Sequence, residues 1–261
     1  PSSVGALSVA VSADGKRLMS AHADAVIRFW DAAAGRLLCS ASCPGGAAVA
    51  GIVSSDGQRA AVVDVDGTLT IWETAAGGRL AVLPGKARCL GVCDGRREAV
   101  VGSADGTIVV VDLEDGRVSG PFGRGSAVEA VCALPDGSIL CGREDGSVEV
   151  WSRNGRSPVR VMDRHAARVT SLCVSGDGSR AVSAAGDGSL TVWDLGAGRR
   201  SGTGRVPPKT RLGLTQDGAW LVEAEESDGL RLREIARLDS PALRIGVPGG
   251  LRGHPGVSGD G

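Results

Sequence analysis

One pattern returns six times along the chain at a spacing near 40 residues, and no other feature limits the possible folds as much. Its first mark is an Asp-Gly pair at Asp14, Asp56, Asp94, Asp136, Asp177 and Asp217, with separations of 42, 38, 42, 41 and 40 residues. A second Asp follows in each copy, at Asp24, Asp66, Asp105, Asp145, Asp187 and Asp228. Next come Trp30, Trp72, Val111, Trp151, Trp193 and Arg233, and Gly-Arg or its remnant closes each copy at Gly35, Gly78, Gly116, Gly155, Gly198 and Ala236.

The segments between these marks are short and alternating or β-branched, as in "ALSVAVS", "KRLMS", "VIRFW" and "RLLCS" of the first copy, which is how strands read. The 41 glycines and 11 prolines break apolar runs too often for long helices. Asp-Gly and Gly-Arg supply the positive φ that a tight hairpin turn needs, and four strands per period make one propeller blade. A lone blade cannot bury its apolar faces, so successive copies must stack. The expected fold is therefore all-β, a β-propeller of four-stranded antiparallel blades over residues 1–249, with blades at about 4–43, 44–86, 87–125, 126–164, 165–207 and 208–249. Residues 250–261 contain Gly253-His254 and a further Asp-Gly, and read as a tail or the truncated start of another repeat. Six copies then either close a ring or belong to a ring of seven or more blades.

"VIRFWD" at 26–31, "LTIWE" at 69–73 and "SLTVWDL" at 189–195 resemble the ends of WD repeats, and the resemblance extends over residues 4–249 as six WD-type repeats. It implies that a blade is pinned by four side chains: a His before the first strand, a Ser or Thr in the second, an Asp in the following turn and the Trp of the third. The fifth copy carries all four, as His165, Ser183, Asp187 and Trp193. The first has Ser20, Asp24 and Trp30 without the preceding His, and the Ser place is Val62, Val101, Cys141 and Ala224 in the second, third, fourth and sixth. Those blades are expected to rely on packing.

The resemblance also implies a non-catalytic protein–protein interaction scaffold with other proteins as partners, no cofactor and no small-molecule substrate. The alternative is a sensing or regulatory propeller within a larger nucleotide-binding signalling protein. Recognition residues sit on loops held by a rigid scaffold, so the candidates are His22, Arg143, Glu144, Glu226 and Ser227 at the turns between second and third strands, with Arg164 from the preceding connection.

One stretch competes with this reading. "AVVDVDGTLT", 61–70, resembles the nucleophile loop of the haloacid-dehalogenase phosphatases, which would make Asp64 the nucleophile and Asp66 an acid/base. Yet Asp66-Gly67-Thr68 aligns with Asp105-Gly106-Thr107, Asp145-Gly146-Ser147 and Asp187-Gly188-Ser189, so it is a repeated turn. Lysine occurs only at 16, 86 and 209, and no Asp-Asp pair exists, which leaves a phosphatase as a remote alternative. "LPGKA", 83–87, fails two positions of a phosphate-binding loop. No catalytic or metal-ligating set is expected, and Cys89, Cys132 and Cys173 lie among apolar residues as small hydrophobes.

Basic and acidic residues number 29 and 30, which gives no global field toward nucleic acid or an anionic membrane. The run "GRRSGTGRVPPKTR", 198–211, has few aromatics beside it and reads as a solvated connection. Apolar stretches such as 107–111 are far too short to span a bilayer, and the first residues lack the basic start of a signal peptide. Seven cysteines, an odd number in a long chain, point to a reducing intracellular compartment, the cytoplasm before the nucleus.

Overall fold

The computed structural model describes residues 6–245 apart from 93–96, 154, 156, 209, 226–228 and 239–242. The first copy folds as Ala6–Val11, Arg17–His22, Val26–Asp31 and Arg36–Ser42 (β1–β4), the second as Ala48–Val53, Arg59–Asp64, Leu69–Glu73 and Arg79–Leu83 (β5–β8). The third comprises Ala87–Val92, Glu98–Ser103, Ile108–Asp112 and Val118–Phe122 (β9–β12), and the fourth Val128–Ala133, Ile139–Arg143, Ser147–Trp151 and Pro158–Arg164 (β13–β16). Val169–Val174, Arg180–Ala185, Ser189–Asp194 and Arg199–Arg205 (β17–β20) form the fifth. The sixth is Arg211–Leu214, Trp220–Glu225, Gly229–Glu234 and Leu243–Ile245 (β21–β24), with one 3-10 turn at Ile235–Arg237.

Each set of four is one antiparallel sheet in chain order, and the six sheets stand in a ring as a six-bladed β-propeller. The turn residues of the sequence explain the hairpins: Ser12 Oγ donates to Asp14 Oδ1 at 2.6 Å, and the Lys16 N–H donates to the same oxygen at 3.0 Å. Gly15 follows at φ +67, a conformation that costs a residue with a Cβ. Ser54-Asp56, Ser175-Asp177 and Thr215-Asp217 repeat the hydroxyl–carboxylate bond at 2.6 Å.

The core lies between blades. Met19, Ile27 and Phe29 of the first blade pack on Val62 and Trp72 of the second. Leu69 and Ile71 meet Val101 and Val111, and Ile108 and Val110 meet Cys141 and Trp151. Leu140 and Val148 then cover Trp193, and Val182, Leu190 and Val192 cover Leu212 and Leu221. The Trp slot of a blade thus faces back onto the blade before it. Full burial of one such aliphatic or aromatic side chain contributes about 1.5–3 kcal/mol, so these five clusters dominate the packing.

Candidate functional site

The four-residue network of the fifth blade assembles in the order Trp, Ser, His, Ser. Trp193 Nε1 donates to Ser183 Oγ at 2.8 Å, and Ser183 Oγ lies 2.6 Å from His165 Nε2. His165 Nδ1 is 2.9 Å from Ser189 Oγ, and Asp187 accepts the Ser189 N–H at 2.9 Å. A neutral imidazole with its proton on Nδ1 satisfies every member of this chain. Burial pushes the His165 pKa down, against the opposing field of Asp187. The Ser189 backbone and hydroxyl hold Asp187 below its usual range. Ser189, absent from the four-residue expectation, is the link between Asp187 and the ring.

The other blades fill the same joint with different chemistry. In the first, Ser20 Oγ accepts from Trp30 Nε1 at 2.9 Å and lies 2.9 Å from His22 Nε2, so the second strand itself supplies the missing imidazole. In the second, Val62 occupies the Ser place and buried Trp72 Nε1 has no partner. In the fourth, Glu149, which pairs with Cys141 across the sheet, accepts from Trp151 Nε1 at 2.8 Å and Arg143 Nε at 2.9 Å. Arg143 Nη1 also donates to the carbonyls of Gly106 at 3.1 Å and Ser126 at 2.8 Å, while its guanidinium lies 5.8 Å from the Trp151 ring centroid.

The sixth blade requires a correction. Register pairs Ala224 with Leu230 as Ala184 pairs with Leu190, so Glu223, not Ala224, stands in the Ser place. Fully buried Glu223 meets Arg233, the occupant of the Trp slot, with Nε 3.1 Å from Oε1. An ion pair there replaces the hydroxyl–indole bond.

Asp64 ends β6 and is 1% exposed. Its Oδ1 accepts the N–H groups of Asp66 at 3.1 Å and Thr68 at 3.0 Å, and its Oδ2 accepts that of Gly45 at 3.0 Å. The carboxylate ties the turn to the preceding loop, and a buried carboxylate whose two oxygens accept three backbone N–H groups is no accessible nucleophile.

Two expected partner contacts are therefore corrected. His22 and Arg143 are 9% and 3% exposed, because the last residue of a second strand points into the joint. Glu144 and Arg164 lie on the surface. Glu226 and Ser227 fall outside the described residues. Arg164 Nη2 donates to Asp145 Oδ2 at 2.6 Å, and Arg200 Nη2 to Asp163 Oδ2 at 2.6 Å. Burial pushes the Asp145 carboxyl up, but Ser147 and the guanidinia of Arg164 and Arg143 outweigh it and hold it low. Glu144, Asp145, Arg164, Asp163 and Arg200 thus form an exposed charged row across blades four and five. Asp163 and Arg200 had no mark in the repeat, and only the pairing of outer strands reveals them.

Among the described residues no group of His, Cys, Asp or Glu could hold a metal ion. Among the described residues, Cys39, Cys43, Cys89, Cys132, Cys141 and Cys173 are free thiols. No helix among the described residues is long and apolar enough to cross a membrane.

The fold and its His-Ser-Trp joints define a repeat-built propeller, and comparison with known sequences identifies repeats within it. The profile of the WD domain, G-beta repeat, matches residues 2–31, 118–152 and 156–194, each match ending with or just after the third strand of a blade. These three segments are thus WD-type repeats, and the structure around them is a six-bladed β-propeller. It is 35% identical to "Cilia- and flagella-associated protein 44" of Chlamydomonas reinhardtii over 134 residues, which is 47% of this chain and 8% of that protein. It is 31% identical to "Transducin beta-like protein 3" of Rattus norvegicus over 152 residues, 52% of this chain and 19% of the relative. With "Small ribosomal subunit protein RACK1y" of Oryza sativa subsp. japonica it shares 27% identity over 101 residues, 36% and 30% of the two chains. The matched region thus spans less than a third of the length of each of these three relatives.

Proposed function

We propose that the chain is a protein-interaction scaffold that acts without catalysis or cofactor, in the cytoplasm or nucleus. The observation that carries this reading is the separation of its polar groups into two sets. His22, Asp64, Arg143, His165, Ser183 and Glu223 are buried and used up in holding blades together. Glu144, Asp145, Asp163, Arg164 and Arg200 remain on a rigid surface, in mixed sign, where a complementary protein face would meet preorganised charge. The free thiols fit a reducing compartment. The mixed signs favour a protein partner over a nucleic-acid backbone or an anionic membrane, either of which needs a basic patch.

The test is affinity capture from lysate of the source organism with the wild-type chain and with the charge-reversed pair Glu144→Lys and Arg164→Glu. A partner retained by the wild type should be lost, or bound at least tenfold more weakly, by the folded variant. Identical partner sets for the two chains would remove this surface from the proposal.

A further inference from the structure

The propeller has six blades, and among the described residues five joints between them are packed. β1 lies on β5, β5 on β9, β9 on β13, β13 on β17 and β17 on β21; among the described residues β21 does not pack on β1 in this way. The five apolar clusters belong to the same five joints, and none joins the sixth blade to the first.

Both sides of the remaining joint show the consequence. The residue paired with the Trp slot is fully buried in every later blade, as Ala60, Ala99, Ile139, Ala181 and Leu221 at 0% exposure. Its counterpart in the first blade, Leu18, is only half-buried, as is Trp30 beside it, whereas Trp72, Trp151 and Trp193 are buried. On the sixth blade, Leu230 and Leu232 are half-buried where Ile27, Phe29, Leu69, Ile71, Leu190 and Val192 are buried.

The turns agree. A methyl group added at Gly77, Gly116 or Gly198 would strike Cys39, Ala81 or Arg160 of the blade before, and one at Gly57, Gly178 or Gly218 would strike Arg17, Pro135 or Ser175. At Gly15 and Gly35 of the first blade it would meet nothing within 4 Å. Trp220 completes the picture. It begins β22 at the place held by Arg17 and Arg180, which reach the following blade, and it is 42% exposed.

We infer that the space between β21–β24 and β1–β4 receives one further four-stranded blade, which would cover Leu18 and Trp30 on one side and Trp220, Leu230 and Leu232 on the other. The occupant follows from equivalence. The places of Leu18 and Leu230 are buried in all five packed joints, the second as Ile27, Leu69, Ile108, Val148 and Leu190, and in each of those the covering surface is a blade with an apolar face. A helix or loop would not present the strand spacing that this repeated face is built to meet. The inference stands apart from the scaffold reading, which concerns the exposed row on blades four and five.

Hydrogen–deuterium exchange on the full chain tests it. Amides of 17–31 and 220–225 should exchange at least tenfold faster than the equivalent 59–73 and 180–185, in a monomeric sample. The probe for occupancy is a copy of the chain's own fifth blade, residues 165–207, appended through a flexible linker, because that blade has its polar network complete. The appended blade should slow exchange of 17–31 and 220–225 at least tenfold and raise the Tm, and an appended copy carrying Val182→Asp and Val192→Asp should do neither. Three results would each overturn the inference: equal protection of both sets in the unmodified chain, which means the ring closes on itself; no change on adding the blade; or protection that appears with concentration as dimers form, which makes a second copy the occupant.

Discussion

At the level of single residues, charge is a poor guide to exposure in this ring. His22, Asp64 and Arg143 occupy equivalent places at the ends of second strands, and all three are buried because that place points into a joint. Sequence neighbours of a turn read as solvent-facing, and nothing in spacing alone distinguishes a residue one step before the turn from one within it. Asp64 shows what the place demands. Asp64→Asn would set an amide N–H against a backbone N–H, which costs about 1–3 kcal/mol. Urea denaturation should register that loss, while hydrolysis of an aryl phosphate with magnesium should be the same for both chains; a loss of hydrolysis in the variant would revive the phosphatase reading. His165 makes a second prediction. Its pKa is lower in the fold than its ordinary 6.5, so the unfolded chain binds more protons as the pH falls. Stability should therefore be full above about 6.5 and decline below it, at no more than about 1.4 kcal/mol per pH unit. The aspartates of the hairpin turns, Asp14, Asp136, Asp177 and Asp217, are held low by hydroxyls and N–H groups, led by Ser12, Ser138, Ser175 and Thr215. Their contribution is present above their ordinary 3.8 and is lost only below it. The variant His165→Gln should flatten the decline between pH 7 and 5; an unchanged slope would exclude His165 as its source.

Among elements, the blades differ in how they satisfy the indole of the third strand, and the differences can be measured. Ser20 and Ser183 accept from Trp30 and Trp193, Glu149 accepts from Trp151, and Val62 leaves Trp72 unsatisfied. A buried Val→Thr exchange ordinarily costs about 1–3 kcal/mol for the hydroxyl. At position 62 the new oxygen would lie where Ser183 meets Trp193, and a hydrogen bond there returns about 0.5–1.5 kcal/mol. Val62→Thr should thus be less destabilising than Val101→Thr, whose neighbour Val111 offers no donor, by about 1 kcal/mol in urea titrations. Equal losses would show that Trp72 cannot reach the added hydroxyl. The sixth blade explains a miss of one residue. Its Asp228-Gly229 pair sits one place beyond that of Asp187-Gly188, so counting back from the aspartate lands on Ala224. Counting ten back from Arg233, as from Trp193 to Ser183, lands on Glu223, the buried partner that register and the 3.1 Å contact reveal.

For the molecule as a whole, the architecture was legible because its causes are local: hairpin turns need Asp-Gly, and short apolar strands need neighbours of their own kind. What joins one blade to the next was not legible. It depends on which side chains converge across separations of 35–55 residues, such as Arg143 on Gly106 or Arg153 on Glu98, and no period marks them. The same variety has a consequence for how the chain reaches its native order. Repeats of one shape can dock out of sequence during folding, and such misassembly is the common failure of repeat proteins. Here Arg143 reaches the Gly106 carbonyl and Arg153 the Glu98 carboxylate of the blade before, while Arg180 reaches the Gly218 carbonyl of the blade after. A blade that docks beside the wrong neighbour would leave one of these guanidinia without its partner, so the contacts across the joints act as addresses that favour the correct succession.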